Sequence, residues 1–316
     1  MAAANTTKPA LPHGKTNLWA HIVQNRGVYL VLLPGIIWYI LFAYFPLFGL
    51  SLAFKTFKAN LGIFHSPWVG LQNYVYVFRD KAFMESVGRT LYINILRLCI
   101  TFPFPILLAL AINEVRLGRT KKIFQTIYTF PNFLSWILVS SIMRHVFGQH
   151  GMVNGIITLF NHEPVMLLGS VHAFLPLIYI TDIWKTAGWS AIIYLAAISG
   201  IDAEQYEAAE IDGATRLQRI WHISLPGIKG TIIVMFILAM GYLMSAGFDQ
   251  LFNMSNAATS RVAETLDMYI YRITFQSASD FSFSSAVSLF RSIINFSLLI
   301  TADRLAKKIG GQGLFG

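Results

Sequence analysis

The sequence predicts an all-α, polytopic membrane protein with about six transmembrane helices, and three observations support this prediction. Apolar residues make up 55% of the 316 positions and charged residues 12%, about half the charged share of an average soluble domain. The apolar residues come in long blocks: residues 27–54 carry no charge, and 18 or more such residues suffice to cross a bilayer. Five further apolar blocks follow along the chain.

The first block is too long for the core of a signal peptide, and no small-residue cleavage pattern follows it. We therefore expect an uncleaved anchor. No segment between blocks is long or polar enough to form a separate soluble domain. The predicted spans are residues 28–54, 91–112, 123–146, 174–198, 231–251 and 284–301. The predicted domains are an N-terminal tail at 1–27, a transmembrane domain at 28–301 and a C-terminal tail at 302–316.

Basic residues predict the orientation of the spans. With the N-terminus inside, the inner segments hold 13 Lys and Arg, whereas the outer segments hold seven over a greater length. Arg116, Arg119, Lys121 and Lys122, between spans two and three, form the densest inner group. The positive-inside rule therefore predicts that both termini are cytoplasmic, although five basic residues in the first outer segment argue against it.

Several other classes of function find no support in the sequence. The net charge of +9 does not indicate nucleic acid, because basic residues flank spans instead of forming a patch with interleaved aromatics. Cys99 is the only cysteine, so no intrachain disulfide forms. His150, His162 and His172 share one outer loop, but their spacing and the lack of a local Cys or carboxylate cluster predict surface histidines rather than a metal site.

The longest inner segment, residues 199–230, has a local order of its own. Asp202 is placed to cap a helix whose third position is Gln205, the arrangement of a reciprocal capping box. Good helix formers follow, and Gly213 offers the left-handed stop that often ends a helix. The sequence therefore predicts a helix of about ten residues, which is marginal alone in water.

A second short helix is expected after the first, capped by Thr215 and running to the break before Pro226. The first helix presents small Ala208 beside Tyr206 and Ile211. Such a face suits docking into a groove of another protein. A connecting loop that packs on its own bundle explains the same residues equally well.

The motifs Glu207-Ala208-Ala209, Asp212-Gly213-Ala214 and Ile223-Ser224-Leu225-Pro226 follow in order within twenty residues, just before the second-last span. This pattern resembles the "EAA" loop of permease subunits of binding-protein-dependent ATP-binding-cassette (ABC) importers. Further motifs, at residues 69–74, 109–114 and 188–189, resemble the maltose-type sugar permeases. Those at 125–128, 133–136 and 267–272 are closer to a branch that takes up complex oligosaccharides, including uronic-acid chains and lipo-oligosaccharide-type substrates. Arg89 departs from the pattern, which has Asn there.

The resemblance implies the type I importer fold and a set of partners. Those partners are a second homologous permease, two ATP-binding cassette subunits that hold ATP and Mg, and an extracytoplasmic solute-binding protein that delivers an oligosaccharide. It also implies a multi-pass protein of the bacterial cytoplasmic membrane, embedded in lipid. The chain has no Walker A pattern, so we expect it to bind no cofactor and to be no enzyme. The residues expected to couple transport to the ATPases are Tyr206, Glu207, Ala208, Ala209, Asp212, Gly213, Ala214, Leu225 and Pro226.

Residues of the substrate pathway are harder to predict. Ionisable side chains within spans are costly and indicate function by default; here they are Arg97, Arg144, Asp182, Lys185 and Arg291. Asp182 and Lys185 stand three apart on one helical face and are expected to neutralise each other. Sugars bind through ring stacking and hydrogen bonds, and arginine matches a carboxylate in two-point contact. The pathway residues predicted on this basis are Trp189, Tyr242, Phe248, Gln250, Arg291 and Asn295, with packing as the alternative role for each.

These features favour an importer permease that passes an oligosaccharide, such as an alginate or aldouronate oligomer, by alternating access. The alternative is an ion-coupled secondary carrier or channel that acts without ATPase partners. Such a carrier often has two corresponding halves with interrupted helices, and the sequence lacks that symmetry. A membrane-embedded enzyme would need a cluster of acid, base or nucleophilic residues at one depth, and the sequence contains none.

Overall fold

A computed structural model describes residues 23–115, 118–245, 247–276, 280–308 and 313–314. Within these ranges the regular structure is helical, apart from one isolated antiparallel bridge between Lys55 and Trp68. This confirms the all-α prediction. The helices are α1 (Arg26–Phe54), α2 (Gly62–His65), α3 (Gln72–Arg79), α4 (Lys81–Asn113), α5 (Gly118–Phe133), α6 (Trp136–Phe147), α7 (Met152–Leu159), α8 (Val171–Ser199), α9 (Ala203–Ile211), α10 (Arg216–Gly227), α11 (Lys229–Gly241), α12 (Phe248–Met254), α13 (Ser260–Ala263), α14 (Leu266–Tyr271) and α15 (Phe281–Lys308).

The length and composition of these helices give three membrane spans, or up to six if each bent pair of helices is one span. Helices α1, α4 and α15 are each long and apolar enough to cross a bilayer alone. Three bent pairs qualify when each is taken as one span: α5 with the helix at Trp136–Leu159, α8 with α9, and α10 with α11. The two helices within each pair meet at angles of 101°, 74° and 59°.

The third span, predicted at residues 123–146, consists of two helices joined at a sharp bend. Helix α5 ends in a 3-10 turn that contains Pro131, and the chain then bends by 101° before the helix continues at Trp136. Ser135 caps the second piece by accepting a hydrogen bond from the backbone N–H of Leu138 at 3.3 Å. Proline removes a helical donor, so an apolar run of sufficient length still breaks here.

The fifth span, predicted at residues 231–251, is also interrupted. Helix α11 ends at Gly241, and α12 begins only at Phe248. Gly247, directly before α12, has φ +94°, a left-handed value that ends any continuous α-helix. Hydropathy predicts how long an apolar segment is, but it does not show whether the helix within that segment is continuous. Ala246 lies outside the described residues.

The second span begins earlier than predicted. Asp80 caps α4 by accepting a hydrogen bond from the N–H of Ala82 at 2.7 Å, so the helix starts at Lys81 instead of residue 91. Phe83 is fully buried in α4.

Most of helix α1 does not pack against the other described helices. No residue from Arg26 to Tyr44 is buried, whereas Leu52 and Ala53 near its end are buried and the Phe45–Phe54 portion packs on α15. At the other end of the chain, α15 extends to Lys308, beyond the predicted span end. Residues 1–22 of the predicted N-terminal tail and Arg116 lie outside the described residues.

Helix α8 runs through the centre of the bundle. Near its start, Phe174 and Ile178 belong to an apolar cluster with α4 and α12. Near its end, Tyr194 and Ile198 belong to a second cluster with the far half of α4 and with Ile228. The helix therefore joins the two ends of the molecule through one rigid element.

Candidate functional site

The loop between α8 and α11 is folded by its own capping residues. Asp202 accepts a hydrogen bond from the N–H of Glu204 at 3.1 Å and so caps α9. The reciprocal capping box lies at Thr215 and Gln218 on α10, rather than at Asp202 and Gln205. A Thr–Gln pair at this spacing was equally visible in the sequence, so the prediction placed the right motif on the wrong helix.

The end of α9 follows the prediction for Gly213, whose φ is +76°. The N–H of Ala214 donates to the carbonyl of Ala209 at 2.9 Å, and that of Gly213 to the carbonyl of Glu210 at 3.1 Å. This pair of bonds is a Schellman motif, which satisfies carbonyls that the helix end leaves free. The turn between α9 and α10 therefore has one defined shape.

Two side-chain contacts brace α9 against α10. The hydroxyl of Tyr206 lies 2.9 Å from that of Ser224, and the Glu210 carboxylate lies 3.2 Å from the Arg219 guanidinium. Tyr206 is half-buried. Its hydroxyl therefore contacts its own chain.

The outer face of the loop is apolar and unpartnered within the chain. Ile211 is 86% exposed, and Leu217 and Trp221 on α10 are 68% and 63% exposed. The predicted coupling residues do not include Leu217 and Trp221. Their spacing of four residues in a polar segment places both on one face of a helix and could have indicated an exposed apolar patch. Among the predicted coupling residues, Glu207, Ala208, Asp212, Gly213 and Pro226 are exposed, while Ala209, Ala214 and Leu225 are half-buried.

Within the membrane region, a cavity of about 360 Å³ lies between α4, α8 and α11. Arg97 is the one charged side chain among the described residues that line it. Hydroxyl groups come from α4, from α8 and from Tyr242, which directly follows α11. The lining residues used below are Asn94, Arg97, Thr101, Thr186, Ser190 and Tyr242.

The break in span five borders this cavity, and neighbouring helices supply its missing hydrogen bonds. Asn94 on α4 donates to the carbonyl of Leu243 at 2.7 Å. Asn295 on α15 accepts from the N–H of Met244 at 2.9 Å and donates to the Ser245 hydroxyl at 2.6 Å. An interrupted helix persists in a membrane only where such groups are satisfied.

Arg97 joins three elements beside the break. Its Nη2 donates to Oε1 of Gln250 at 2.8 Å, and its Nε lies 3.6 Å from a carboxylate oxygen of Asp182. Gln250 in turn donates to the carbonyl of Ile178 at 2.7 Å. The guanidinium packs directly on Gly247, where an added Cβ would overlap it.

Lys185 stabilises the break in span three. Its ammonium donates to the carbonyl of Asn132 at 2.8 Å and lies 5.3 Å from the centroid of the Trp136 ring. Asp182 forms its ion pair with Arg97 and also interacts electrostatically with Lys185, so the expected pair on α8 is one part of a group of three charges. Helical spacing identified the nearest charges along one helix but not those on the neighbouring helices.

The predicted pathway residues occupy different surroundings. Tyr242 lines the cavity, Gln250 is buried behind Arg97, and Asn295 supports the break. Phe248 stacks on Phe252, with 5.4 Å between ring centroids. The remaining two are Trp189, in edge contact with Phe133 at 5.8 Å, and Arg291, ion-paired with Asp267.

A polar cluster fixes the segment before α15 on α4. Tyr269 donates to a carboxylate oxygen of Asp80 at 2.6 Å, and the N–H of Leu266 donates to the Thr90 hydroxyl at 2.7 Å. Burial, together with the Asp80 carboxylate, raises the pKa of Tyr269 above its ordinary value. The phenol therefore stays protonated and keeps its role as donor. Among the residues that the structure describes, no group of three or more His, Cys, Asp and Glu is placed to hold a metal ion.

Comparisons with known proteins agree with the geometry of the loop and the bundle. The family model described as "Binding-protein-dependent transport system inner membrane component" matches residues 101–311. The chain is 40% identical to the polygalacturonan/rhamnogalacturonan transport system permease protein YteP of Bacillus subtilis, over 95% of this chain and 94% of the relative. It is 38% identical to protein LplB of the same organism, over 97% of each chain.

A solved structure of a bacterial ABC transporter involved in the import of the acidic polysaccharide alginate contains a similar chain. The TM-score is 0.84 at 33% sequence identity, covering 92% of this chain and 99% of that chain. A second structure of a bacterial alginate ABC transporter, in complex with an alginate pentasaccharide-bound periplasmic protein, matches with the same TM-score at 32% identity, over 94% and 99%. The chain therefore belongs to the family of binding-protein-dependent inner-membrane transport components and is the permease subunit of an ABC oligosaccharide importer.

Proposed function

We propose that this permease passes an acidic oligosaccharide through the cavity between α4, α8 and α11. The observation that supports this most directly is the position of Arg97, the one charged residue among the described cavity residues. Arg97, held in place by Gln250 and Asp182, brings a guanidinium to the cavity wall, and guanidinium groups favour carboxylate ligands. Thr101, Thr186 and Ser190 add hydroxyl groups for sugar hydrogen bonds, and Tyr242 adds a ring for stacking.

The relatives add weight to an acidic substrate. One is named for polygalacturonan and rhamnogalacturonan transport, and the two solved transporters are described as alginate importers. Galacturonate and alginate chains both carry one carboxylate per uronic-acid unit. The chain is similar to these transporters, and Arg97 places a positive charge at its own cavity. Both observations favour a solute that carries carboxylates.

The active assembly in this proposal contains a second homologous permease, two ATP-binding cassette subunits and an extracytoplasmic solute-binding protein. ATP and Mg bind to the cassette subunits, so this chain is the non-catalytic part of the machine. Both termini and the 199–230 loop lie on the cytoplasmic side, and residues 28–301 form the transmembrane permease domain. Alternating access then exposes the cavity to one side of the membrane at a time.

The route from the ATPases to the cavity runs through α9, α10 and α11. A subunit that grips the exposed face around Glu207 and Ile211 moves α9, and the Tyr206–Ser224 and Glu210–Arg219 contacts move α10 with it. Helix α10 continues into α11 across a 59° bend. Helix α11 ends beside Tyr242, so a rigid displacement at the loop reaches the cavity wall.

Reconstituted transport tests the proposal. The complete importer in proteoliposomes is given ATP inside and the loaded binding protein outside, with oligogalacturonate, oligoalginate or neutral maltooligosaccharide as solute. We expect ATP-dependent uptake of the acidic chains only, reduced about tenfold by Arg97→Lys because ammonium lacks the fork geometry of guanidinium. Arg144→Lys is the matched control, since Arg144 lies outside the cavity lining.

Two outcomes contradict the proposal in different ways. Equal uptake of neutral and acidic chains would refute the substrate class while leaving the importer function intact. Uptake along an ion gradient by the purified chain without ATPase subunits would refute the proposed energy source and favour a secondary carrier.

A further inference from the structure

Helix α7 presents an unpartnered apolar stripe on the side of the bundle opposite the 199–230 loop, since it follows the third span and the loop follows the fourth. Met152, Ile156, Leu159 and Phe160 are 68%, 51%, 81% and 72% exposed. Their spacing of four, three and one residues places all of them on one helical face. With eight residues, the helix is far too short to cross a bilayer.

The orientation of this stripe is fixed by a buried side chain on the opposite face. Asn154 is only 2% exposed and donates to the carbonyls of Gly148 and Val165, each at 2.9 Å. It also accepts a hydrogen bond from the N–H of Val165 at 2.8 Å. The Asn154 amide thus bonds to the segment before α7 and to the segment after it. These bonds keep the opposite, apolar face of α7 turned outward.

The turn before α7 holds the helix tightly against the end of α6. An added Cβ at Gly148 would overlap the carbonyl of Arg144, and one at Gly151 would overlap the carbonyls of His145 and Val146. The N–H of Gly148 donates to the carbonyl of Arg144 at 2.9 Å. Helix α7 is therefore an extension of the span at a fixed angle.

The chemistry of the stripe favours lipid over a water-soluble partner. Residues 148–170 carry a single charged side chain, Glu163. Helix α6, which precedes α7, also exposes apolar side chains: Ile137, Leu138 and Ile142 are 65%, 54% and 40% exposed. A short amphipathic helix with one apolar face, adjoining a lipid-facing span, is the form that interfacial anchors take.

We propose that α7 is an interfacial anchor whose apolar face is buried at the headgroup–acyl boundary of the leaflet opposite the 199–230 loop. Its partner is the phospholipid bilayer itself. By lying in that plane, α7 fixes the depth of the bent third span, whose break is held by Lys185. This inference depends on membrane insertion alone and is independent of the substrate class.

Lipid-quenching fluorescence tests the anchor in the assembled importer. The chain contains one cysteine, so Cys99→Ala provides a background for single labels. An environment-sensitive fluorophore is attached at Leu159→Cys on the stripe or at Thr158→Cys, the matched control, which is exposed on the other face of the helix. Nanodiscs are prepared with phosphatidylcholine brominated near the headgroup or near the chain end.

We expect headgroup-proximal bromine to quench the Leu159 label about threefold more than the Thr158 label, with less quenching from chain-end bromine. Met152→Cys, one end of the same stripe, provides a second label if Leu159→Cys disturbs assembly. Equal quenching at the two faces would overturn the proposal. So would a stripe label that ignores brominated lipid and is shielded from aqueous iodide only when the binding protein docks, because that result assigns the surface to a soluble partner.

Discussion

Two interruptions of the helical bundle look alike in sequence and differ in how they are held. The 199–230 loop and the break in span five each contain a glycine with positive φ, +76° at Gly213 and +94° at Gly247. At Gly213 an added Cβ would meet nothing within 4 Å, whereas at Gly247 it would overlap the guanidinium of Arg97. The first is held by its own neighbours in sequence and the second by distant helices.

This difference matches the function of each region. In the proposed mechanism the loop moves as one piece, and local caps give it a shape that does not depend on the bundle. The break must keep backbone groups satisfied inside a membrane, and Asn94 and Asn295 supply those bonds from other helices, while Arg97 packs on Gly247. Changes at the break should therefore cost more stability than changes in the loop.

The largest expected effect on the free energy of unfolding comes from Arg97→Leu. This change leaves the Asp182 carboxylate and the Gln250 amide buried without their partner, and removing one member of a buried pair costs about 3–5 kcal/mol. Thermal unfolding of the purified complex in detergent measures the loss. Arg97→Lys, which retains the charge, should fall between that variant and the wild type; an Arg97→Leu protein as stable as the wild type would show that the network is dispensable.

The next largest effect separates the two glycines directly. Alanine in the left-handed region costs about 1–2 kcal/mol at either position. At Gly247 the overlap with Arg97 adds about 1–3 kcal/mol of overpacking strain. Gly247→Ala should therefore unfold at a clearly lower temperature than Gly213→Ala. Equal unfolding temperatures for the two variants would show that Arg97 does not pack on Gly247.

A smaller effect is expected from Tyr206→Phe, which removes the hydroxyl contact between α9 and α10. A half-buried hydrogen bond of this kind contributes about 1 kcal/mol. Ser224→Ala removes the same contact from the other side, so the double variant should be no less stable than the less stable single variant. Additive losses would mean that the two hydroxyls act separately. ATPase assays of these variants would report how far the brace transmits motion.

The smallest effect on stability, with a large effect on transport, is expected from Glu207→Lys. Glu207 is exposed, so the unfolding temperature should not change, and a reversed charge on the docking face should separate ATP hydrolysis from uptake. Gln205→Lys is the control, since Gln205 is exposed on the opposite side of the same helix. Both rates are measured in proteoliposomes, and normal uptake by Glu207→Lys would remove this face from the coupling surface.

The parts of the fold that depend on local chemistry were predictable. Long apolar runs predicted six crossings, Gly213 predicted the end of α9, and Thr215 predicted the start of α10. The ordered motifs from Glu207 to Pro226 predicted the family, which the comparisons confirm. Each of these signals lies within a few residues along the chain.

Pro131 is a local signal for the break in span three, but the break in span five and the cavity depend on contacts between distant helices. Predicted spans three and five were single segments, and the structure divides both. Arg97 was recognised as an intramembrane charge, but its partners Asp182 and Gln250 lie on other helices, and helical spacing named only Lys185 as a neighbour of Asp182. For the 199–230 loop the sequence left docking and self-packing open, and the structure turns the Tyr206 hydroxyl to Ser224.

By itself, the sequence determined that the chain crosses a membrane, which segments are apolar enough to cross it and where the ordered 199–230 loop lies, because hydropathy and capping act over a few residues. Only the tertiary structure decided where spans bend, which charges pair and which side chains reach the cavity. The physical reason is that a backbone group freed inside a membrane must find its partner on whichever helix lies nearest in space. That neighbour is set by packing, and sequence separation does not reveal it.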